Sequence, residues 1–156
     1  MTGKRSQILL TKEGYEKLKK ELKHREGELR AKLQETLNQM RLQGDLREND
    51  GYTIAVDDFQ GNEEKINSIK DMLENAKIVD KRKSLTVEIG SHVSIECSKG
   101  NVREYSIVGE NEANPLGGKI SYKSPIGAAL MGKKRGDKIT IETPAGNSVC
   151  QIKSIN

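Results

Sequence analysis

Three acids, Asp45, Glu48 and Asp50, share one short stretch, residues 44–52, which reads GDLRENDGY. Gly, Asp and Asn clusters of this kind break helices and form turns. The stretch lies between two long helical patterns, so its carboxylates sit at the end of whatever those helices build. Asp45 and Glu48 are three residues apart, and a compact turn would let them converge on one ion. Two carboxylates hold Mg²⁺ weakly, because that ion keeps several waters and wants further oxygen ligands. A second macromolecule holding one metal and a phosphate would complete the set. The added pair could then retain a second ion and orient a water for in-line attack on a phosphodiester. An ordinary polar turn would read the same from these residues alone, so the elements on either side decide.

Those elements are legible. Over residues 12–40 the apolar positions are Tyr15, Leu18, Leu22, Leu29, Leu33, Leu37 and Met40, mostly three or four apart, with Arg25 interrupting the stripe. Thr11 precedes the run as a helix N-cap. After the turn, Ala55, Phe59, Asn62, Ile66, Ile69, Leu73 and Ala76 alternate four and three apart. They form a heptad seam with one polar member, Asn62, suited to fixing register. Arms of this length reach about 40–45 Å at 1.5 Å per residue. Comparable seams joined by a short connection predict an antiparallel coiled-coil hairpin.

Charge is distributed to match. Residues 1–41 carry 11 Lys/Arg and 6 Asp/Glu, whereas residues 42–80 carry 4 and 10. Opposite charge on consecutive helices predicts flanking salt bridges between antiparallel arms. It also leaves basic surface on the first arm and acid at and after the turn, a polarity that would orient a hairpin in the field of a nucleic-acid machine. Residues 81–156 carry 12 basic and 7 acidic groups.

Beyond a charged linker at residues 80–84 (DKRKS) the period changes to two. Val93, Ile95 and Cys97 alternate with polar residues, as do Tyr105 and Ile107, Ile139 and Ile141, and then Val149, Ile152 and Ile155 after a shift. Turn residues separate these runs at 99–101, 114–118, 135–137 and 144–147, with Gly117-Gly118-Lys119 read as a hairpin turn. A short helix over residues 125–131 interrupts them. The fold class is therefore α+β: a helical hairpin over residues 1–80, then a small β-rich domain over 81–156.

Several chemistries fail on residue types. No CxxC occurs, and His24 and His92 stand alone, which excludes a zinc cluster. GxxxxGK[ST], GxGxxG and GxSxG are absent. Aromatics are 3% of the chain, with no Trp, so no stacking platform for nucleic acid is present. No run approaches a membrane span, and the first residues lack a signal peptide's apolar stretch. Cys97 and Cys150 lie in strand-like sequence, read as free buried thiols, and point to a reducing cytoplasm.

With these motifs in view, the chain resembles the bacterial Gre transcript-cleavage factors end to end. The matching segments are LTKEGYEKLKKEL at 10–22, GDLREN at 44–49 with Tyr52, NAKIVD at 75–80, and VGENEANPLGGKISYKSPIGAALMGKKRGDKITIETPAGN at 108–147. The resemblance is to GreA-type members more than to GreB-type ones. It implies a coiled-coil hairpin followed by an FK506-binding-protein-like domain, and a bacterial RNA polymerase as partner. The globular domain would dock at the rim of the secondary channel, and the hairpin would enter it to stimulate the polymerase's own cleavage of backtracked RNA. By position, Asp45 and Glu48 match the family's tip acids, which would share a second Mg²⁺ with the polymerase. No cofactor bound by the chain alone, no small-molecule ligand and no membrane partner is implied. Asn49 and Tyr52 match tip-supporting positions. Lys17, Lys20 and Arg30 are candidates to contact the nascent RNA 3′ end, and Ser124, Pro125 and Ile126 match the segment expected near the polymerase.

The tip departs from the family's common GDLSENAEY. Arg47 replaces a Ser between the acids and could pair with either, and Asp50-Gly51 replaces Ala-Glu where the second helix should begin. A Gre-like channel regulator that does not stimulate cleavage therefore stays open as the alternative. A prolyl isomerase with a helical appendage and a free nucleic-acid-binding module are more distant rivals.

Overall fold

The computed structural model describes residues 7–80, 84–98 and 100–156. These fall into two compact units, one made of residues 15–76 and the other of residues 7–14 with 77–156. The first eight described residues thus belong with the β-rich unit, a division that neither periodicity nor the charged linker foretold. Of that linker, residues 81–83 lie outside the described residues, as does Lys99 of the turn at 99–101.

The helical unit is built from α1 (Lys12–His24), a π-helical turn (Arg25–Leu29), α2 (Arg30–Leu42) and α3 (Asp50–Glu74). Ala55, Asn62, Ile66 and Ile69 are the buried positions of α3, as the heptad seam requires. Asn62 acts as the register pin. It is 4% exposed, accepts from Arg25 Nη1 at 3.2 Å and donates to the Arg25 carbonyl at 3.2 Å. The π turn explains why Arg25 interrupts the stripe. A strict seam running on from Leu29 would place its next members at 32 and 36, but the apolar residues are Leu33 and Leu37. That one-residue slip is what an inserted π turn absorbs. The signal was present in the spacing and was missed.

Flanking salt bridges appear as the charge pattern predicts. Lys70 Nζ lies 2.6 Å from Glu26 Oε1, and Arg30 grips Glu63 with both Nε (2.6 Å) and Nη2. The Arg30 hydrogen bonds hold the Glu63 carboxyl below its usual value of 4.5, with the guanidinium charge adding to the effect. A depressed carboxyl pKa stabilises the fold above the unfolded value, and that contribution is lost as pH falls through the lower folded value. Exposed pairs contribute little, so a small effect is expected. Helicity melts followed against pH should show an acid-induced loss below pH 4.5, and Glu63→Gln should remove that part of the response.

The second unit opens with β1 (Ile8–Thr11), which pairs with β2 (Ala76–Val79) in a two-stranded sheet. Ala76 is therefore a strand residue; α3 stops at Glu74 with Asn75 as its cap. Thr11 caps α1 as expected, its hydroxyl accepting from Gly14 N at 3.0 Å. Its amide and hydroxyl both donate to Glu112, whose carboxylate packs so closely on Gly14 that a Cβ there would have to displace it.

A five-stranded sheet follows, in the order β5 (Lys119–Ser121), β4 (Asn101–Val108), β3 (His92–Cys97), β7 (Gly146–Ile155), β6 (Lys138–Thr143). One face carries Val93, Ile95, Ile107, Ile139, Ile141, Cys150 and Ile152, which cluster with Val87, Ile89, Ile120 and Leu130 to form the core. The short helix α4 (Pro125–Leu130) packs against β6 and β5 and supplies Leu130. The shift in β7 is real: Ser94 pairs with Ser154 but Ile95 with Ile152, so Lys153 is an extra residue.

Gly117-Gly118-Lys119 does turn the chain tightly, closing an antiparallel bridge between Asn114 and Lys119, but no hairpin of two strands results, because β5 runs parallel to β4 and the connection passes through two 3₁₀ turns. Cys97 and Cys150 are not free thiols. They face each other directly across β3 and β7 on the buried side and form a disulfide. Burial follows the expected alternation in β3 and β6, whereas in β7 the buried positions are Cys150 and Ile152 and Val149 is 50% exposed; no local pattern sets the register that brings the two cysteines together. The argument for a reducing compartment from free thiols thereby loses its premise. No helix among the described residues is long and apolar enough to cross a membrane.

Candidate functional site at the hairpin tip

The tip is made by ending one helix and starting another within seven residues. α2 ends at Leu42, and Gly44 turns the chain at φ 138°, a conformation that disfavours any side chain. Asp45 then folds back on its own backbone, Oδ1 accepting from Arg47 N at 3.0 Å, the turn-forming habit of Asp. Asn49 closes the loop. Its Oδ1 accepts from Tyr52 N at 3.1 Å as the N-cap of α3, while its Nδ2 donates to the Met40 carbonyl on the other arm at 3.2 Å. One side chain thus ties both arms together. Gly51 belongs to this device: a Cβ there would stand 3.2 Å from both Asn49 Oδ1 and Met40 Sδ. It permits close approach in the first turn of α3, and the helix begins at Asp50 in spite of it.

Asp45 and Glu48 are both exposed. The side chain of Arg47 forms an ion pair with neither, so the substitution between the acids leaves both free of a guanidinium partner among the described residues. One Asp45 oxygen holds the turn and the other is open; Glu48 has no hydrogen-bond or ion-pair partner among the described residues. As a donor set, two open carboxylates fit a shared Mg²⁺ and fall short of a self-sufficient site. No group of three or more His, Cys, Asp or Glu side chains that could hold a metal is present among the described residues. Around the acids stands apolar surface that spacing arguments passed over: Leu42 is 85% and Ile54 60% exposed, with Leu46 at 43%.

Replacing Asn49 by Ala removes the cap and the cross-arm bond together. Loss of such a cap costs about 1 kcal/mol. We expect faster amide exchange at Tyr52 and Thr53 with hairpin helicity otherwise retained, measured by hydrogen exchange.

Elsewhere the sequence candidates scatter. Lys17 and Lys20 are exposed on α1, far along the sequence from the tip, whereas Arg30 is directed across the hairpin onto Glu63. In the other unit, Ser124 caps α4, accepting from Gly127 N at 3.1 Å and donating to the Ser121 carbonyl at 2.7 Å. Pro125 occupies the first turn, exposed, and Ile126 is half-buried against the core. Gly127 is required, since a Cβ would strike the Ser121 carbonyl. Tyr122, Ile126 and Met131 pack against the core cluster that holds Leu130 of α4. His24 and His92 are exposed, His92 sharing a 2.7 Å hydrogen bond with Ser106.

A helical hairpin with an acidic tip, carried with a small α+β unit, is the class that fold and site define. Comparison with known proteins agrees. Residues 8–78 match the family described as "Transcription elongation factor, N-terminal" (GreA_GreB_N), and residues 82–156 match "Transcription elongation factor, GreA/GreB, C-term". The chain belongs to the GreA/GreB family of transcription elongation factors. It is 42% identical over 142 residues to transcription elongation factor GreA of Thermoanaerobacter pseudethanolicus, covering 89% of this chain and 90% of that one. The GreA of Geobacillus kaustophilus is 38% identical over 152 residues, 96% of each chain. Among solved structures, GreA factor homolog 1 (Gfh1) of Thermus thermophilus aligns over 97% of this chain and 99% of its own, at 29% identity and a TM-score of 0.45.

Proposed function

We propose that this protein binds bacterial RNA polymerase, inserts its hairpin tip through the secondary channel, and stimulates the polymerase's own cleavage of backtracked RNA. It is not itself an enzyme in this reading. The observation that carries the proposal is the state of Asp45 and Glu48: both exposed, both at the end of a helical hairpin, neither taken by Arg47. Together they would complete a Mg²⁺ site shared with the polymerase, where the ion would promote attack of water on the RNA backbone. The chain's own contribution is positional. Gly44 and the Asp45 turn aim the first carboxylate, Asn49 and the capped amide of Tyr52 lock the two arms behind it, and Arg25–Asn62 fixes their register. Leu42, Leu46 and Ile54 would be buried as the tip enters a channel, excluding water around the acids. Lys17 and Lys20 are the basic groups offered to the RNA 3′ end, with Arg30 available only at the expense of Glu63. Ser124, Pro125 and Ile126 are the docking candidates on the globular unit. Such a protein works in the cytoplasm, where bacterial polymerase is.

The test is RNA cleavage in purified, backtracked elongation complexes with Mg²⁺, with and without the protein. Accelerated cleavage is expected. Binding to polymerase without acceleration would overturn the cleavage role and make the chain a channel-occupying regulator.

A further inference from the structure

β6 is an edge strand: it stands last in the sheet and pairs with β7 alone. It is six residues long, whereas the opposite edge, β5, has three. The side of each backbone group in β6 follows from the bulge that starts it. Gly136, at φ 92°, donates to the Ile152 carbonyl at 2.8 Å, and Ile152 N donates to the Asp137 carbonyl at 3.0 Å. This is a bulge of the glycine-first type, with Gly136 and Asp137 opposing Ile152. Hydrogen bonding alternates along an antiparallel strand. Asp137, Ile139 and Ile141 therefore turn their polar groups to β7, and Lys138, Thr140 and Glu142 turn theirs outward. No backbone bond outside the β6–β7 ladder engages residues 138–143 among the described residues.

The side chains follow a matching pattern. Lys138, Thr140 and Glu142 are exposed on one face, while Ile139 and Ile141 are buried on the other. Neither Lys138 nor Glu142 has an ion-pair partner among the described residues. Charged edges usually ward off stray strands. Here, however, the order Lys-Ile-Thr-Ile-Glu is self-complementary when run against itself. Centred on Thr140, a second copy in antiparallel register sets Lys138 against Glu142 at both ends, Thr140 against Thr140, and Ile139 against Ile141. The same register pairs the outward backbone groups of each strand with the outward groups of the other. Side-chain charge picks out this register, and backbone parity, which admits every second register, is met by it as well, as a two-fold symmetric contact requires. A shift by one residue would break both.

We infer that β6 is a self-association edge, through which two copies of this chain join their sheets about a two-fold axis at Thr140. A single strand pair buries far less than the roughly 1,200 Å² of a stable complex, so the dimer is weak and reversible.

Sedimentation equilibrium of the full chain tests this. The wild type should self-associate with a dissociation constant at or below about 1 mM, the weak end of specific binding. Glu142→Lys and Lys138→Glu each place like charges opposite at both ends, and each should weaken association at least tenfold. The double swap, Lys138→Glu with Glu142→Lys, restores opposite pairs and should recover it. Thr140→Pro removes an outward N–H that the β7 ladder does not use, and should give a folded monomer. All three sites are surface positions, so circular dichroism should be unchanged for the charge variants even if the proline is not tolerated. A wild type monomeric throughout that concentration range, or association that ignores the single reversals or fails to return in the double swap, overturns the inference.

Discussion

Replacing Asp45 and Glu48 together by Ala should abolish the stimulation of RNA cleavage while leaving polymerase binding in place. Among the described residues neither side chain supports the fold beyond one turn bond, in which Arg47 N donates to Asp45 Oδ1, and both lie in solvent. Their removal should therefore leave the helical content unchanged. The loss in cleavage rate should be on the order of a hundredfold, the scale on which removal of a well-placed electrostatic group slows catalysis. Single variants should separate the two roles. Glu48→Gln removes a charge only, whereas Asp45→Asn keeps an oxygen that can still hold the Arg47 amide. If both singles lose cleavage, charge at the tip is what matters. Arg47→Ser should change little, because the guanidinium engages neither acid; a large gain on that change would mean that Arg47 restrains the tip in the polymerase-bound form.

The second large effect concerns stability. Cys97 and Cys150 close a loop with a sequence separation of 53, for which the chain-entropy account gives about 4 kcal/mol of stabilisation. In a domain of this size about 1 kcal/mol moves Tm by roughly 4–8 °C, so full reduction should lower it by about 15 °C or more. The loss belongs to the β-rich unit. Scanning calorimetry with and without a thiol reductant should move that unit's transition and leave the transition of the helical hairpin in place. Cys97→Ser with Cys150→Ser should reproduce the reduced form. Identical scans in both conditions, with both thiols open to alkylation beforehand, would show that the pair does not form in solution.

The hairpin was legible because it depends on local periodicity: six α3 positions in strict four-three alternation, from Ala55 to Leu73, mark the seam, its polar member and the partner face. The acid tip was legible for the same reason, since chain order alone places it between the arms. The failures share a physical cause, contacts remote in sequence. Pairing Cys97 with Cys150 requires the β3–β7 register, and recognising β5 requires knowing that it joins β4 in parallel. β1 is a strand because β2 lies beside it. Arg47 illustrates the converse error. Its neighbours in sequence suggested a salt bridge to Asp45 or Glu48, whereas the turn brings its amide, and not its guanidinium, to the Asp45 carboxylate. Gly51, a departure from the family's common tip, makes room for Asn49 and Met40.

The π turn at Arg25–Leu29 bears on protein engineering. It carries one residue beyond the regular count, and Asn62 is the tooth on the opposite arm that meshes with it. A tip grafted from a relative must therefore be joined entirely on one side of that pair, on both arms at once. A junction that keeps the insertion on one arm and drops its counterpart turns every later side chain of that arm by about 100°. The acids would then still be present in the hybrid sequence and face the wrong way.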